Sequence, residues 1–195
     1  MDVQKKSLGA SERDEEARGA WRKYVRALDP GRLVFVEECS TNIALTGLYA
    51  RAPRNWGKNV TLIASLGVEG IGAAMSVEGA TDGAAFETYV EHFLAPTLKR
   101  GQIVVMDNLQ VHKMKRVREL IEGVGAEVSF LPPYSPDFSP IEETFSKVKG
   151  ILRRIGARTR ETLLEATSEA LGAVSRRDAI GWFRHCGYEI AHHSL

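Results

Sequence analysis

Two stretches decide how this chain folds: IVVMDNLQVHK (residues 103–113) and AEVSFLPPYSPDFSPIEETFSKVKGILRR (residues 126–154). A short apolar run, Ile103 to Met106, stops abruptly at Asp107, which is typical of a buried strand whose last residue emerges at the sheet edge. A second run, Val128 to Leu131, leads directly into a proline-rich loop. The pattern predicts two strands, the first of which is followed by a polar residue.

The proline-rich loop leads to a helix that begins at Pro140 and carries Glu142 and Glu143 in its first turn. A strand end and a helix start therefore deliver two carboxylates, Asp107 and Glu142. The local sequence offers these carboxylates no charge partner, and carboxylate oxygens are the ligands that a hard cation such as Mg²⁺ prefers. The stretch predicts a metal site.

Length and composition indicate one ordinary domain, since 195 residues with 44% hydrophobic content can fill a core. No apolar run approaches the ~20 residues of a membrane span, and the first residues lack the apolar segment of a signal peptide. Cys39 and Cys186 lie too far apart in sequence to suggest a disulfide framework or a zinc cluster. We expect a cytoplasmic protein that does not bind membranes.

The net charge of +1 conceals an uneven distribution along the chain. Residues 99–160 hold 12 basic and 7 acidic residues, whereas residues 1–98 hold 11 and 13, and residues 161–195 hold 3 and 5. A basic surround beside metal-binding acids suits a polyanionic substrate. A solvated helix face explains the same excess equally well.

The order of the elements predicts a mixed sheet with helices on both faces, an antiparallel meander continued by parallel strands. A charged segment, residues 1–31, has the form of a connector helix from a preceding module. The body, residues 32–155, contains the strands, and residues 156–195 add helices that we expect to pack on the same domain. Apolar runs predict strands at residues 32–38, 43–52, 59–66, 71–77, 103–106 and 128–131.

The first strand ends in two consecutive glutamates, Glu37 and Glu38. If that strand is central and the strand before Asp107 lies beside it, one of them comes close to Asp107. Successive side chains of a strand point to opposite faces, so only one glutamate reaches a shared site. Three acids within a few ångströms do not all ionise comfortably without a cation. Two divalent ions ~3.5–4 Å apart are the usual arrangement for attack on a phosphodiester.

The chain resembles the catalytic domain of mariner-like DDE transposases of bacterial insertion sequences. The resemblance lies in VVMDN with the following His112, and in LPPYSPDFSPIEETFSKVK. The 34 residues between Asp107 and Glu142 agree with that group, and the resemblance extends over residues 32–190. It implies a ribonuclease H-like fold, two Mg²⁺ or Mn²⁺ ions, and a homodimer that cuts and rejoins transposon-end and target DNA. It makes Asp107 and Glu142 the second and third catalytic, metal-binding acids.

The first acidic position departs from the family pattern, which has Asp-Glu where this chain has Glu37-Glu38. Glu37 takes the place of the catalytic, metal-binding aspartate with one methylene more, and metal catalysis tolerates displaced ligands poorly. Three alternatives stay open: an active transposase, a weakened or inactive DNA-binding remnant, and a nuclease without strand transfer. The resemblance also implies a helix-turn-helix module before residue 1, which this sequence lacks.

Local explanations compete with the catalytic and DNA-binding roles. Ser139-Pro140-Ile141-Glu142 has the form of a capping box, in which the Glu142 carboxylate would accept from the Ser139 N–H. His112 suits a buried histidine at a helix start as well as a DNA contact. The residues that we interpret as DNA-binding candidates are Asn108, His112, Lys113, Lys147, Lys149, Arg153 and Arg154.

Overall fold

The computed structural model describes residues 14–41, 60–157 and 159–190. Its strands are β1 (Leu33–Thr41), β2 (Val60–Gly67), β3 (Gly70–Glu78), β4 (Ile103–Met106) and β5 (Glu127–Phe130). Its helices are α1 (Glu15–Arg26), α2 (Gly83–Tyr89), α3 (Lys115–Gly123), α4 (Pro140–Ile155), α5 (Arg160–Gly172) and α6 (Arg176–His185). The strand expected at residues 43–52 lies outside the described residues.

The five strands form one sheet in the order β3-β2-β1-β4-β5, with β1 at its centre. β1 pairs antiparallel with β2, and β2 with β3 across the tight turn between Gly67 and Gly70. β4 pairs parallel with both β1 and β5, so Val34 lies opposite Val104. The mixed sheet predicted from the sequence is therefore confirmed.

Helices cover both faces of this sheet. On one face Leu33, Phe35 and Cys39 of β1 pack into a core shared with α1, α4, α5 and α6. On the other face Val34 and Val36 pack against α2 and α3. The alternation of β1 side chains places consecutive residues in different cores. Among the described residues, no helix is long and apolar enough to cross a bilayer.

The C-terminal helices share their core with the centre of the sheet. Phe35 of β1 lies with its ring centroid 5.4 Å from that of Phe183 in α6 and 5.3 Å from that of Tyr188, in edge-on arrangements that favour aromatic packing. Trp21 and Val25 of α1 are buried in the same core. The domain boundaries expected at residues 31 and 155 stay predictions.

α4 begins and ends where its sequence indicates. Pro140 occupies the first helical position, where its missing N–H costs no hydrogen bond. Ile141, Phe145, Val148 and Leu152 form a buried stripe along one side. Gly156 ends the helix in the left-handed region, with φ 68°. The stripe fixes the rotation of α4 about its axis, and so sets where the first-turn side chains point.

Candidate active site

Three acids that are remote in sequence line one cavity of about 400 Å³. Glu37 comes from β1, Asp107 follows the end of the neighbouring parallel strand β4, and Glu142 lies in the first turn of α4. Asn108 lines the same cavity. The structure therefore brings together the three carboxylates that the sequence singles out.

Electrostatic repulsion is concentrated at Glu37. Burial and, after it, the negative charge of Asp107 raise the pKa of its carboxyl to about 7, with a smaller contribution from Glu142. The N–H of Glu38, 3.1 Å from Glu37 Oε1, opposes this rise. Without a cation, the cavity therefore does not hold three full negative charges at neutral pH.

Glu142 is not engaged in the capping box that its sequence suggests. Ser139 is the N-cap of α4, but its side chain makes no capping hydrogen bond. Its backbone N–H donates to the carbonyl of Pro136 at 2.9 Å, so it is not available to the Glu142 carboxylate. The capping-box interpretation was wrong because a short 3-10 turn, Pro136–Phe138, precedes the helix and uses that N–H. Glu142 is exposed in the cavity.

Glu38 points away from this cavity and meets His112. Oε2 of Glu38 lies 3.2 Å from Nε2 of His112, and Oδ1 of Asp107 lies 2.6 Å from Nδ1 of the same ring. Both are close ion pairs of bent geometry, with neither N–H aimed directly at its oxygen. His112 thus bridges the glutamate on one side of β1 to the cavity carboxylate on the other.

The charge of His112 follows from these contacts. Burial acts to lower the pKa of the ring, but Asp107 and Glu38 outweigh it and the pKa rises to about 9. The pKa of Asp107 is lowered, because the contacts with His112 and with the N–H of Leu109, 2.9 Å from Oδ1, outweigh its burial. At neutral pH an imidazolium therefore holds Asp107 in its ionised form.

The expectation that His112 contacts DNA is not supported. Its side chain is 1% exposed and lies against Phe86 of α2, with ring centroids 4.5 Å apart. A buried ring cannot reach a phosphate at the surface. The alternative weighed from the sequence, a buried histidine near a helix start, describes what the structure shows.

The basic residues of α4 differ in what they can bind. Lys147 is engaged by Asp178 of α6, with Nζ 2.7 Å from Oδ2, and this contact competes with the expected DNA contact. Lys149 lies within hydrogen-bonding reach of the Cys39 thiol, whose pKa is nevertheless raised by burial. Arg153 and Arg154 are exposed near the end of the helix.

Lys113 and Asn108 occupy the rim of the site from the β4 side. Lys113 is exposed, with Nζ 5.9 Å from the centroid of the Phe130 ring. The amide Nδ2 of Asn108 donates to the carbonyl of Leu131 at 2.5 Å and so ties the end of β4 to the end of β5. Asn108 therefore has a structural role beside any contact with a substrate.

The residue types at the site suit divalent cations, although their spacing is wider than that of a metal-ligand group. In the described part of the chain, no group of three or more His, Cys, Asp or Glu side chains has the spacing to hold a metal ion. The chemistry still fits, because three carboxylates are hard oxygen donors of the kind that Mg²⁺ and Mn²⁺ take. Burial and the neighbouring negative charge of Asp107 raise the pKa of Glu37, and a bound cation would oppose both effects.

Sequence reasoning missed a buried arginine next to this site. Arg18 of α1 is 1% exposed and pairs with Ser135 and Asp137 in the proline loop, which we define as residues 132–139. The sequence predicted only a charged connector helix in residues 1–31. The available signal was spacing, since Arg18 lies on the same helical face as Trp21 and Val25.

Comparison with known proteins places this fold. A family model described as DDE superfamily endonuclease matches residues 46–164, a range that includes Asp107 and Glu142 and excludes Glu37. No curated protein sequence matches the chain. Many solved structures do, and Mos1 transposase recurs among them.

Three of these structures illustrate the likeness. The Mos1 transposase paired-end complex with left transposon end gives a TM-score of 0.69 at 16% identity, covering 95% of this chain and 62% of that one. The Mos1 mariner paired-end complex with Mn gives 0.70 at 19%, covering 95% and 63%. The catalytic domain of Mos1 mariner transposase gives 0.65 at 17%, covering 92% and 89%.

These matches show a shared fold, the ribonuclease H-like fold of the Mos1 catalytic domain. The chain spans about three fifths of the Mos1 chains in the paired-end complexes, and most of the isolated catalytic domain.

Proposed function

This chain belongs to the DDE superfamily endonuclease family, and from that membership we propose that it is the catalytic part of a transposase. Its reaction would be the cleavage of DNA strands at transposon ends and their transfer to a target. The observation that carries the proposal is the convergence of Glu37, Asp107 and Glu142 on one cavity, from three separate elements.

Divalent metal ions are implied by the DDE fold, and Mos1 structures with Mg and with Mn are among the neighbours. We propose that two ions bind here, held by Glu37, Asp107 and Glu142. When bound, such ions polarise the attacking hydroxyl and stabilise the leaving oxygen of a phosphodiester. The three carboxylates provide oxygen ligands from the middle of β1, the residue after β4 and the first turn of α4.

The residues around the site prepare it for this role. The His112 imidazolium keeps Asp107 ionised and restricts its rotation, as outer partners of ligands commonly do. Glu37, with a pKa of about 7, releases its proton readily when positive charge arrives. No side-chain nucleophile is needed, because water or a DNA 3′-hydroxyl attacks directly.

DNA is the proposed substrate and partner, and the Mos1 neighbours in complex with a transposon end support it. We assign phosphate contacts to Lys113, Lys149, Arg153 and Arg154, with Asn108 at the cavity rim. His112 is left out because it is buried, and Lys147 because it pairs with Asp178. Assembly as a homodimer stays a prediction, which light scattering on the purified protein measures directly.

The test is a nicking and joining assay on a DNA duplex with Mn²⁺, comparing the unaltered protein with Glu37→Asp and Asp107→Ala. We expect Asp107→Ala to lose about 10³-fold in nicking, since it removes a metal ligand. We expect Glu37→Asp to nick faster than the unaltered protein, because the shorter arm restores the family's usual ligand.

Each alternative predicts a different result in this assay. Equal behaviour of all three proteins would overturn the enzyme proposal. Retention of DNA without metal, with no nicking even by Glu37→Asp, would identify an inactive DNA-binding remnant. Nicking without joined products would indicate a nuclease.

A further inference from the structure

We propose that Arg18 of α1 is a positioning residue for Glu142, acting through the proline loop. The inference rests on the proposed function, because it takes Glu142 as a metal ligand. Arg18 itself does not line the cavity. Its effect would be to hold the segment from which α4 starts, and so to set where the Glu142 carboxylate lies.

The guanidinium of Arg18 grips the loop at two residues. Nη1 donates to Ser135 Oγ at 2.7 Å and to Asp137 Oδ1 at 2.9 Å, and Nη2 donates to Asp137 Oδ2 at 2.6 Å. The contact with Asp137 is bidentate, which fixes orientation as well as distance. The hydrogen bond to Asp137 also raises the pKa of Arg18.

The same guanidinium stacks on the loop's aromatic residue. Its Cζ lies 4.3 Å from the centroid of the Phe138 ring, within the range of a cation–π contact. Arg18 thus contacts the 3-10 turn Pro136–Phe138 through both charge and π interactions. The carbonyl of Phe138 is held from another direction, by the hydroxyl of Tyr188 at 2.6 Å.

The proline loop connects the Arg18 contacts to the cavity. Residues 132–136 and Ser139 line the cavity with Glu142, and only Pro140 and Ile141 separate Ser139 from that glutamate. Because the Ser139 side chain does not cap α4, the helix start depends on the turn before it. Tyr134 adopts φ 52°, a conformation that side chains other than glycine rarely take, so the loop depends on its surroundings for its shape.

The burial of Arg18 indicates that its contacts with the loop are specific. An arginine almost fully removed from water is costly unless its charge and hydrogen bonds are matched. Asp137 is about half exposed, so the pair is anchored from the α1 side and reaches outward into the loop. A surface salt bridge would leave the loop free to shift, whereas this arrangement restricts it.

The test compares Arg18→Met with Arg22→Met, measuring Mn²⁺ binding by calorimetry in the absence of DNA. Arg22 is a matched control: it lies on the same helix, is exposed, and stacks on the same Phe138 ring at 5.1 Å. We expect Arg18→Met to weaken Mn²⁺ binding about tenfold, as loss of a ligand's supporting partner does, and Arg22→Met to leave it unchanged. Arg18→Lys, which keeps the charge without the bidentate fork, should fall between the two.

A second background separates positioning from general destabilisation. If Arg18 acts through Glu142, Arg18→Met has no further effect on Mn²⁺ binding in a Glu142→Gln protein, although it lowers the melting temperature of both proteins equally. An equal loss of Mn²⁺ affinity in both backgrounds would overturn the inference. So would Mn²⁺ affinity in Arg18→Met equal to that of the unaltered protein.

The outcomes also distinguish this inference from the proposed function. Mn²⁺ binding by the unaltered protein without any DNA cleavage would overturn the transposase proposal. The effect of Arg18 on Mn²⁺ affinity would still test the positioning role. Absence of Mn²⁺ binding in the unaltered protein would overturn both. If Arg18→Met does not fold, Asp137→Asn removes the same bidentate contact from the loop side and takes its place in the comparison.

Discussion

The two sides of strand β1 treat neighbouring glutamates in opposite ways. Glu38 meets a histidine that the protein itself supplies, and its charge is neutralised inside the fold. Burial raises the pKa of Glu37, the negative charges of Asp107 and Glu142 raise it as well, and His112 offsets only part of this rise. The negative charge on the Glu38 side is balanced by His112, and the negative charge on the Glu37 side is not balanced. A site that a protein leaves short of positive charge is a site for a ligand that brings it.

His112 connects these two sides. It is bound to Glu38 through one ring nitrogen and to Asp107 through the other. The His112–Glu38 pair therefore stabilises Asp107, one of the proposed metal ligands in the cavity. This division suggests that substitutions at Glu38 and His112 act on stability and ligand orientation, whereas those at Glu37 act on metal binding itself.

The largest effect that we expect separates the two glutamates directly. Glu37→Gln removes a metal ligand, so DNA nicking with Mn²⁺ should fall about 10³-fold, because metal coordination contributes several kcal/mol to the transition state. Glu38→Gln keeps all three cavity carboxylates and should lose at most about tenfold, as an outer partner does. Equal losses in the two variants would show that the two sides are not distinct.

The next prediction concerns a variant that lacks the His112 contacts with Asp107 and Glu38. His112→Phe should lower nicking by about 10–100-fold, because Asp107 loses the partner that orients it. It should also lower the free energy of unfolding by about 3 kcal/mol, since Glu38 is left as a buried charge without its counterion. Chemical denaturation of the metal-free protein measures the second effect.

A double variant separates these two effects of His112. Adding Glu38→Gln to His112→Phe should restore much of the stability, because the unpaired buried charge is gone, while nicking stays low. Recovery of nicking together with stability would mean that His112 serves only the fold.

The third prediction concerns the pH dependence of stability without metal. Because the pKa of Glu37 is raised from 4.5 to about 7 in the fold, the folded state binds more protons between these values. Stability should therefore fall by about 3 kcal/mol as pH rises through that window. His112, with a pKa of about 9, adds a similar loss between pH 6.5 and 9.

Glu37→Gln isolates its own contribution to this pH dependence. The difference in unfolding free energy between this variant and the unaltered protein, both in EDTA, should change with pH mainly between pH 4.5 and 7. A constant difference across that range would contradict the crowded-acid description of the cavity.

The smallest expected effect extends the distinction to the cations of α4. Lys147 is satisfied by Asp178, whereas Arg153 and Arg154 are exposed. Replacing both arginines with glutamine should reduce the salt dependence of DNA binding by about one unit of log–log slope for each lost phosphate contact. Lys147→Gln should leave that slope unchanged, and fluorescence anisotropy at several salt concentrations measures both. An equal change in slope would return Lys147 to the DNA-binding residues.

Local patterns explain which parts of the fold could be predicted. The apolar runs at β1, β2, β3 and β4 predict strands because burial selects those residue types, and Pro140 with Gly156 predicts the ends of α4. In each case the information lies within a few residues of the feature.

The sequence is least informative where the deciding partner is remote. His112 was a candidate DNA contact because its burial depends on Phe86 and Glu38, more than 25 residues away in sequence. Lys147 was a DNA-binding candidate, and the partner that competes for it, Asp178, lies 31 residues further on. Arg18 went unnoticed because its partners are 117 and 119 residues distant.

The sequence by itself determined the order of the elements, the family, and the acids at positions 37, 107 and 142 as the candidates for a metal site. Side-chain alternation also determined that only one of the paired glutamates could join them. The resemblance already favoured Glu37, but only the tertiary structure gave the physical reason: α4 packs on the face of β1 that Glu37 shares with Phe35 and Cys39. Alternation is a local property of a strand, whereas the choice of face depends on where a helix a hundred residues later buries its apolar stripe.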